Sequence, residues 1–168
     1  HVGQLKKAIG MLNKAKKPLF LAGGGVIISR ANEAFTELVR KTNVPVVTTV
    51  MGRGAIPTND PLYIGNLGMH GAYACNMAVS ECDLLFSVGT RFNDRITGKL
   101  HSFAPNAQIV HIDIDTGSLL NLVPDDTTVF HFTDSTGAVC LVGICFVGFH
   151  DFFIFLQNPA QLFHFVIA

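Results

Sequence analysis

The first third of the chain alternates between helical and strand patterns of apolar residues. Over residues 4–17, apolar side chains recur every three or four positions with lysines on the opposite face, which predicts an amphipathic helix ended by Pro18. Residues 19–22 form a short apolar run before three glycines, as expected of a buried parallel strand followed by a turn. A second helix is predicted over residues 31–42, and the β-branched run 44–50 predicts the next strand. Together these segments make one βαβ unit.

The same alternation continues after a glycine-rich connector. Residues 72–81 predict a helix, and residues 83–88 and 108–114 predict two more strands, each followed by glycine or acidic residues. Strands that alternate with helices form parallel sheets through right-handed crossovers. The pattern therefore predicts an α/β fold in a single domain: a doubly wound, Rossmann-like parallel sheet flanked by helices.

The last part of the chain has a different composition. All twelve Lys and Arg residues lie between Lys6 and Lys99, whereas residues 119–168 hold none of them and contain nine of the fourteen Phe residues. We therefore predict a domain over residues 1–117, followed by an atypical hydrophobic tail of unknown role over residues 118–168.

Within this tail, residues 138–156 are apolar except for His150 and Asp151, and three interpretations are open. A membrane span would have to bury the aspartate and lacks flanking basic residues, so membrane association is not expected. The segment can instead be a buried or aggregation-prone stretch. We favour the third interpretation, a sequence joined or shifted in reading frame near Thr116.

Charge and cysteine content argue against several functions. The 168 residues carry a net charge of +0, which disfavours nucleic-acid binding. The four cysteines are not spaced as in a zinc site or a disulfide framework, so we expect a cytoplasmic protein, or a plastid or mitochondrial one in a eukaryote. The first residues do not resemble a signal peptide, and because the sequence begins with His1 we expect it to be a piece of a longer protein.

Glycines follow the first predicted strand, where parallel sheets bind ligands beyond the carboxyl ends of their strands. Gly23, Gly24 and Gly25 can let the backbone approach a phosphate closely, or can serve only the turn from strand to helix. Ile28 interrupts the pattern G-x-G-x-x-G, so an NAD site of the dehydrogenase type is disfavoured.

Charged residues follow the third and fourth predicted strands. Arg91 and Arg95 can present permanently charged donors to a diphosphate, or can be ordinary solvated arginines near Asp94. Asp113 and Asp115 can accept hydrogen bonds from ribose hydroxyls or can simply end the strand, and a metal pair is disfavoured because no third ligand is visible. No motif supplies a self-sufficient nucleophile, so we predict no catalytic and no metal-binding residue.

Several segments of residues 4–115 resemble the central domain of acetolactate synthase (acetohydroxyacid synthase) catalytic subunits, which are thiamine-diphosphate enzymes. The most specific are LGMHG, GTRFNDR and HIDID, together with PLFLAGGG and PVVTTVMGRGAIP. The resemblance implies condensation of two 2-keto acids, pyruvate with pyruvate or 2-ketobutyrate, with decarboxylation in branched-chain amino-acid biosynthesis. It further implies that the full-length enzyme uses thiamine diphosphate, magnesium and FAD, and that this domain carries the FAD in a non-redox role.

The resemblance also implies which positions bind FAD. The glycines and arginines suit the diphosphate, Met69 and His70 suit the ring or the ribitol, and Asp113 suits the adenosine ribose. The implied positions are Gly23, Gly24, Gly25, Thr48, Thr49, Leu67, Gly68, Met69, His70, Gly89, Thr90, Arg91, Asn93, Arg95, Asp113 and Ile114.

The sequence also departs from this family. It lacks the Gly-Asp-Gly segment through which such enzymes bind magnesium and thiamine diphosphate, and the domain that supplies the activating glutamate. The chain alone is therefore expected to be inactive. The implied partners are the remaining domains of the catalytic subunit, a second copy in a homodimer and a regulatory small subunit. The alternatives are an NAD-binding module of the deoxyhypusine-synthase or sirtuin type, and a structural domain that binds no ligand.

Overall fold

Parallel strands form the centre of the structure, a computed structural model that describes residues 2–113, 128–131, 152–158 and 161–167. Within these ranges six strands form one sheet and two more form a separate pair. In chain order the helices and strands are α1 (Val2–Lys14), β1 (Pro18–Ala22), α2 (Gly24–Ile28), α3 (Asn32–Thr42), β2 (Val46–Thr48), β3 (Tyr63–Asn66), α4 (Tyr73–Glu81), β4 (Leu84–Val88), α5 (Asp94–Thr97), β5 (Gln108–Asp113), β6 (Thr128–His131), β7 (Phe152–Asn158) and β8 (Gln161–Ile167), with 3₁₀ helices at Val50–Gly52 and Leu100–Ser102.

Every neighbouring pair in the six-stranded sheet is parallel, in the order β3-β2-β1-β4-β5-β6. The chain builds outward from β1 through β2 and β3, then returns to the other side of β1 for β4, β5 and β6. This is the strand order of the Rossmann fold, so the predicted fold class is confirmed. Because the direction of winding reverses between β1 and β4, a crevice opens beyond the carboxyl ends of these two strands.

Hydrophobic residues cover both faces of the sheet. On one face α1 and α3 pack over β1 and β4, and Phe20 contacts Phe35 and Phe86 edge to face, with ring centroids 5.7 and 5.3 Å apart. On the other face α4 contributes Cys75 and Val79 to a second core. Since helices occupy both faces, the carboxyl edge of the sheet is left for a ligand.

The helix α1 ends at Lys14, before the end that its apolar pattern predicts. The N–H groups of Lys16 and Lys17 donate to the carboxylate of Asp83 at 2.7 and 2.8 Å instead of continuing the helix. Asp83 directly precedes β4, so these hydrogen bonds join the start of β1 to the start of β4.

Four short elements around the crevice differ from the sequence prediction. The strand predicted over residues 44–50 is confined to β2, because a 3₁₀ helix begins at Val50 and Thr49 caps it by accepting the Gly52 N–H at 3.1 Å. The apolar pattern predicts neither α2, which begins within the glycine turn, nor the edge strand β3, nor α5, which lies in a segment predicted as a loop. The remaining predicted helices and strands of residues 18–113 agree with the structure to within one residue.

A buried carboxylate ties the connection before β3 to α3. Asp60 accepts the N–H of Leu62 at 3.1 Å and the Nε–H of Arg40 at 2.9 Å. These hydrogen bonds, first that of Leu62 and then that of Arg40, hold the pKa of Asp60 below its usual value of 3.8.

Beyond residue 113 the structure describes three strands. β6 pairs with β5 in parallel, and β7 pairs with β8 in antiparallel register from Phe152 opposite Ile167 to Asn158 opposite Gln161. No helix in the described ranges is long and apolar enough to cross a membrane. Residues 138–151 of the apolar run in the predicted tail lie outside those ranges, and the domain boundary at residue 117 stays a prediction.

Candidate functional site

A cavity of about 920 Å³ lies at the carboxyl edge of the sheet, in the crevice between β1 and β4. Twelve predicted positions line it: Gly24, Gly25, Thr49, Leu67, Met69, His70, Gly89, Thr90, Arg91, Asn93, Arg95 and Asp113. Three predicted positions, Gly23, Thr48 and Gly68, do not line it, and Ile114 lies outside the described residues. Four further lining residues were not predicted as site residues, namely Ile28, Val50, Met51 and Ile96.

The glycines after β1 pack directly against the turn after β4. A Cβ atom on Gly23 would lie 2.1 Å from the carbonyl oxygen of Gly89, and one on Gly25 would lie 2.7 Å from the Cα of Gly89. The Gly23 N–H donates to Val88, and the Gly25 N–H donates to Gly89, each at 2.9 Å. Two of the three N–H groups considered for a phosphate are therefore bonded to protein carbonyls, and the turn geometry alone requires these two glycines.

Thr48 and Thr49 have different surroundings although they are neighbours. The Thr48 hydroxyl donates to Oδ1 of Asn66 at 2.9 Å and lies 3.2 Å from the hydroxyl of Tyr63, within a polar network between β2 and β3. Thr49 lines the cavity and caps the 3₁₀ helix that carries Val50 and Met51. Thr48 therefore supports the edge of the sheet, whereas Thr49 shapes the wall of the cavity.

The loop after β3 brings Met69 and His70 to the cavity. The side chain of Asn76 on α4 bonds both backbone groups of Gly68: Oδ1 accepts its N–H at 3.2 Å, and Nδ2 donates to its carbonyl at 3.3 Å. Gly68 has φ +113, and a Cβ there would lie 2.8 Å from the Arg95 carbonyl. The N–H of Met69 donates to the same carbonyl at 3.0 Å, so this loop and α5 hold each other in place.

Arg91 and Arg95 supply the positive charge of the cavity. Both side chains line it and are exposed, Arg91 from the loop after β4 and Arg95 from α5. Asp94 accepts the backbone N–H of Arg95 at 3.0 Å, and among the described residues neither guanidinium forms an ion pair. Their charge is thus available to an anionic ligand.

Asp113 supplies a carboxylate at the end of β5, and His111 lies two residues before it on the same face. His111 is fully buried, with Nε2 2.7 Å from the Thr90 carbonyl oxygen and 3.7 Å from Oδ2 of Asp113. His111 is not among the site residues predicted from the sequence. Its position in HIDID, alternating with Asp113 along the strand, is the signal that could have drawn attention to it.

Large apolar side chains form the exposed part of the cavity wall. Ile28, Val50, Met51 and Met69 are 64–76% exposed although they line a concave surface. These exposed apolar residues lie beside Arg91 and Arg95, which form no ion pair among the described residues. Such a surface suits a ligand with one anionic part and one flat apolar part. Among the described residues, no group of three His, Cys, Asp or Glu side chains is placed to hold a metal ion, and Asp115 lies outside them.

A parallel sheet in Rossmann order, with a ligand-sized cavity at its switch point, defines an α/β domain of the doubly wound class. The family model described as thiamine pyrophosphate enzyme, central domain, matches residues 5–136, and the chain belongs to this family.

Among curated proteins the chain is similar to acetolactate synthase large subunits. It is 53% identical over 119 residues to a probable large subunit from Methanococcus aeolicus, a match that covers 71% of this chain and 20% of that protein. It is 47% identical over 119 residues to the isozyme 2 large subunit of Escherichia coli, covering 71% of this chain and 22% of that protein. The chain thus spans about a fifth of the length of these relatives. The resemblance predicted from the sequence motifs is confirmed.

Proposed function

We propose that the chain serves as the central domain of an acetolactate-synthase-type large subunit and that its cavity binds FAD as a non-redox cofactor. The observation that carries the proposal is the pairing of Arg91 and Arg95, free of ion pairs within the described residues, with exposed apolar side chains around one cavity. FAD has a diphosphate and a flat ring system, which match these two features.

The residues present fit such a ligand. The volume of about 920 Å³ lies within the roughly 300–1,000 Å³ that is usual for small-molecule sites. Arg91 and Arg95 would hold the diphosphate, Met51 and Met69 would contact the ring, and Asp113 would accept hydrogen bonds from ribose hydroxyls. When bound, FAD would act as a structural group that orders the surrounding loops.

The activity of the whole enzyme is a proposal of the same kind. By analogy with the relatives, the full-length protein would condense two 2-keto acids with decarboxylation, as in branched-chain amino-acid biosynthesis. Thiamine diphosphate and magnesium would bind to other domains, because the Gly-Asp-Gly segment is not in this sequence. We expect the chain alone to be inactive and to need its remaining domains, a second copy and a regulatory small subunit.

Titration with FAD tests the ligand, with quenching of flavin fluorescence as the readout and NAD as competitor. We expect saturable one-to-one binding that NAD does not displace. Riboflavin is the second probe because it carries the same ring without phosphate. Displacement of FAD by equimolar NAD, or no binding by the folded protein, would overturn the proposal.

Arginine variants test how the ligand is held. We expect Arg91→Met and Arg95→Met each to weaken FAD binding about tenfold, since hydrogen bonds to charged groups contribute about 1.5–3 kcal/mol, and to leave riboflavin binding unchanged. Arg53→Met is the matched control, because Arg53 is exposed, lies outside the cavity wall and carries the same charge. Equal losses in all three variants would mean that the arginines act only through net charge.

A further inference from the structure

A buried histidine lies behind the loop that carries Arg91. His111 is on β5, fully buried, and its Nε2 is 2.7 Å from the carbonyl oxygen of Thr90. Because a carbonyl oxygen only accepts hydrogen bonds, Nε2 must carry the proton of this contact. The ring of Phe92 packs against the same imidazole edge to face, with centroids 4.9 Å apart. His111 thus contacts the residue on each side of Arg91.

Arg91 differs in exposure from the two residues that His111 contacts. Thr90 and Phe92 are both buried, 1% and 2% exposed, whereas Arg91 between them is exposed at the cavity. Residues 90–92 lie in the connection between β4 and α5, and burial alternates from one residue to the next along them. Arg91 thus lies between two buried residues that contact one imidazole, and its own side chain lines the cavity.

We propose that His111 is a positioning residue, which holds the guanidinium of Arg91 in place for an anionic group of the ligand through the Thr90 carbonyl and the Phe92 ring. The proposal rests on the proposed function, because it concerns how the same cavity recognises a phosphate. His111 does not line the cavity and acts through the loop.

Two substitutions separate the hydrogen bond from simple packing. In His111→Gln the side-chain amide places an N–H near the position of Nε2, whereas in His111→Asn it reaches only the position of Nδ1. We expect His111→Gln to bind FAD as the wild type does, and His111→Asn to bind it about fivefold more weakly. Riboflavin binding should be the same in both variants, because riboflavin has no group for Arg91 to hold.

A double-mutant cycle identifies the residue through which His111 acts. If His111 positions Arg91, then His111→Asn costs FAD affinity in the wild-type background and costs nothing further in Arg91→Met. Equal loss in both backgrounds, or loss of riboflavin affinity together with FAD affinity, would overturn the proposal in favour of a general structural role.

Two measurements without ligand keep this inference distinguishable from the FAD proposal. Nitrogen-15 NMR of the imidazole should show Nε2 protonated, and amide hydrogen exchange over residues 90–93 should accelerate in His111→Asn but not in His111→Gln. If the wild type binds no FAD, the proposed function fails, and these two readouts alone decide whether His111 holds the loop. An unprotonated Nε2, or unchanged exchange in a folded His111→Asn variant, would refute it.

Discussion

Replacing Gly23 by alanine tests whether the contact between the turns after β1 and β4 organises the cavity. The added Cβ would lie 2.1 Å from the Gly89 carbonyl oxygen and 2.6 Å from the Cα of Thr90, whereas ordinary contact begins at 3.4 Å. Both neighbours are backbone atoms, so the two turns must separate by roughly 1 Å for the methyl group to fit.

The free-energy cost of this change follows from the contacts it disrupts. Overpacking costs about 1–3 kcal/mol, and separation of the turns lengthens the hydrogen bonds from the N–H groups of Gly23 and Gly25, each contributing about 1 kcal/mol. We therefore expect Gly23→Ala to lower the free energy of unfolding by about 3–5 kcal/mol. Urea denaturation followed by far-ultraviolet circular dichroism measures this, since the chain has no Trp to serve as a fluorescence probe.

Gly10→Ala is the matched control. Gly10 lies within α1, and a Cβ there would meet nothing within 4 Å. Alanine should raise the free energy of unfolding by about 0.5–1 kcal/mol, because glycine is the poorer helix former. If Gly23→Ala unfolds within about 0.5 kcal/mol of the wild type, the two turns do not need the close approach that the structure shows.

Three further changes test other contacts. Because the pKa of Asp60 is lower in the folded state, its carboxylate stabilises the fold above its usual pKa of 3.8, and this contribution is lost as pH falls through the folded-state pKa. The urea midpoints of the wild type and of Asp60→Asn should therefore converge between about pH 5 and pH 2. A difference that stays constant with pH would contradict this. Burial raises the pKa of the Cys82 thiol to about 12, so Cys82 should not react with iodoacetamide at about pH 8 until urea unfolds the protein. Mass spectrometry of the peptide that contains Cys82 would detect any labelling of the folded protein. Asn76→Ala removes both hydrogen bonds to Gly68 and should lower the free energy of unfolding by about 1–2 kcal/mol, whereas Ser80→Ala, which removes one exposed hydrogen bond on the same helix, should change it by less than about 0.5 kcal/mol.

The sequence predicts those parts of the fold in which apolar residues recur at a regular spacing. The helix α3 and the strands β4 and β5 lie where the pattern puts them, because the apolar residues that make the pattern are buried in the core. The strand β3 lacks such a pattern: Ile64 is partly exposed, Gly65 has φ +142, and the pairing with β2 shifts at this point. Its position depends on the network between Thr48 and Asn66, which only the folded chain brings together.

For the site, the motifs predict polar and glycine positions better than apolar ones. Arg91 and Arg95 could be selected because charged residues after a strand indicate a ligand. Val50 could not, since an apolar residue next to a strand reads as core. Here the 3₁₀ helix capped by Thr49 turns the Val50 side chain out of the core and onto the cavity wall.

The order of the strands has a consequence for how the cavity could be assembled from separate pieces. One wall, from Gly24 to His70, is carried by the strands β1, β2 and β3, and the opposite wall, from Gly89 to Asp113, is carried by β4 and β5. A cut between α4 and β4 would leave each wall on a different fragment, and the pairing of β1 with β4 would be the strand contact that joins them. Flavin binding by a mixture of the two fragments would therefore report, as a complementation signal, that the two halves of the sheet had met in register.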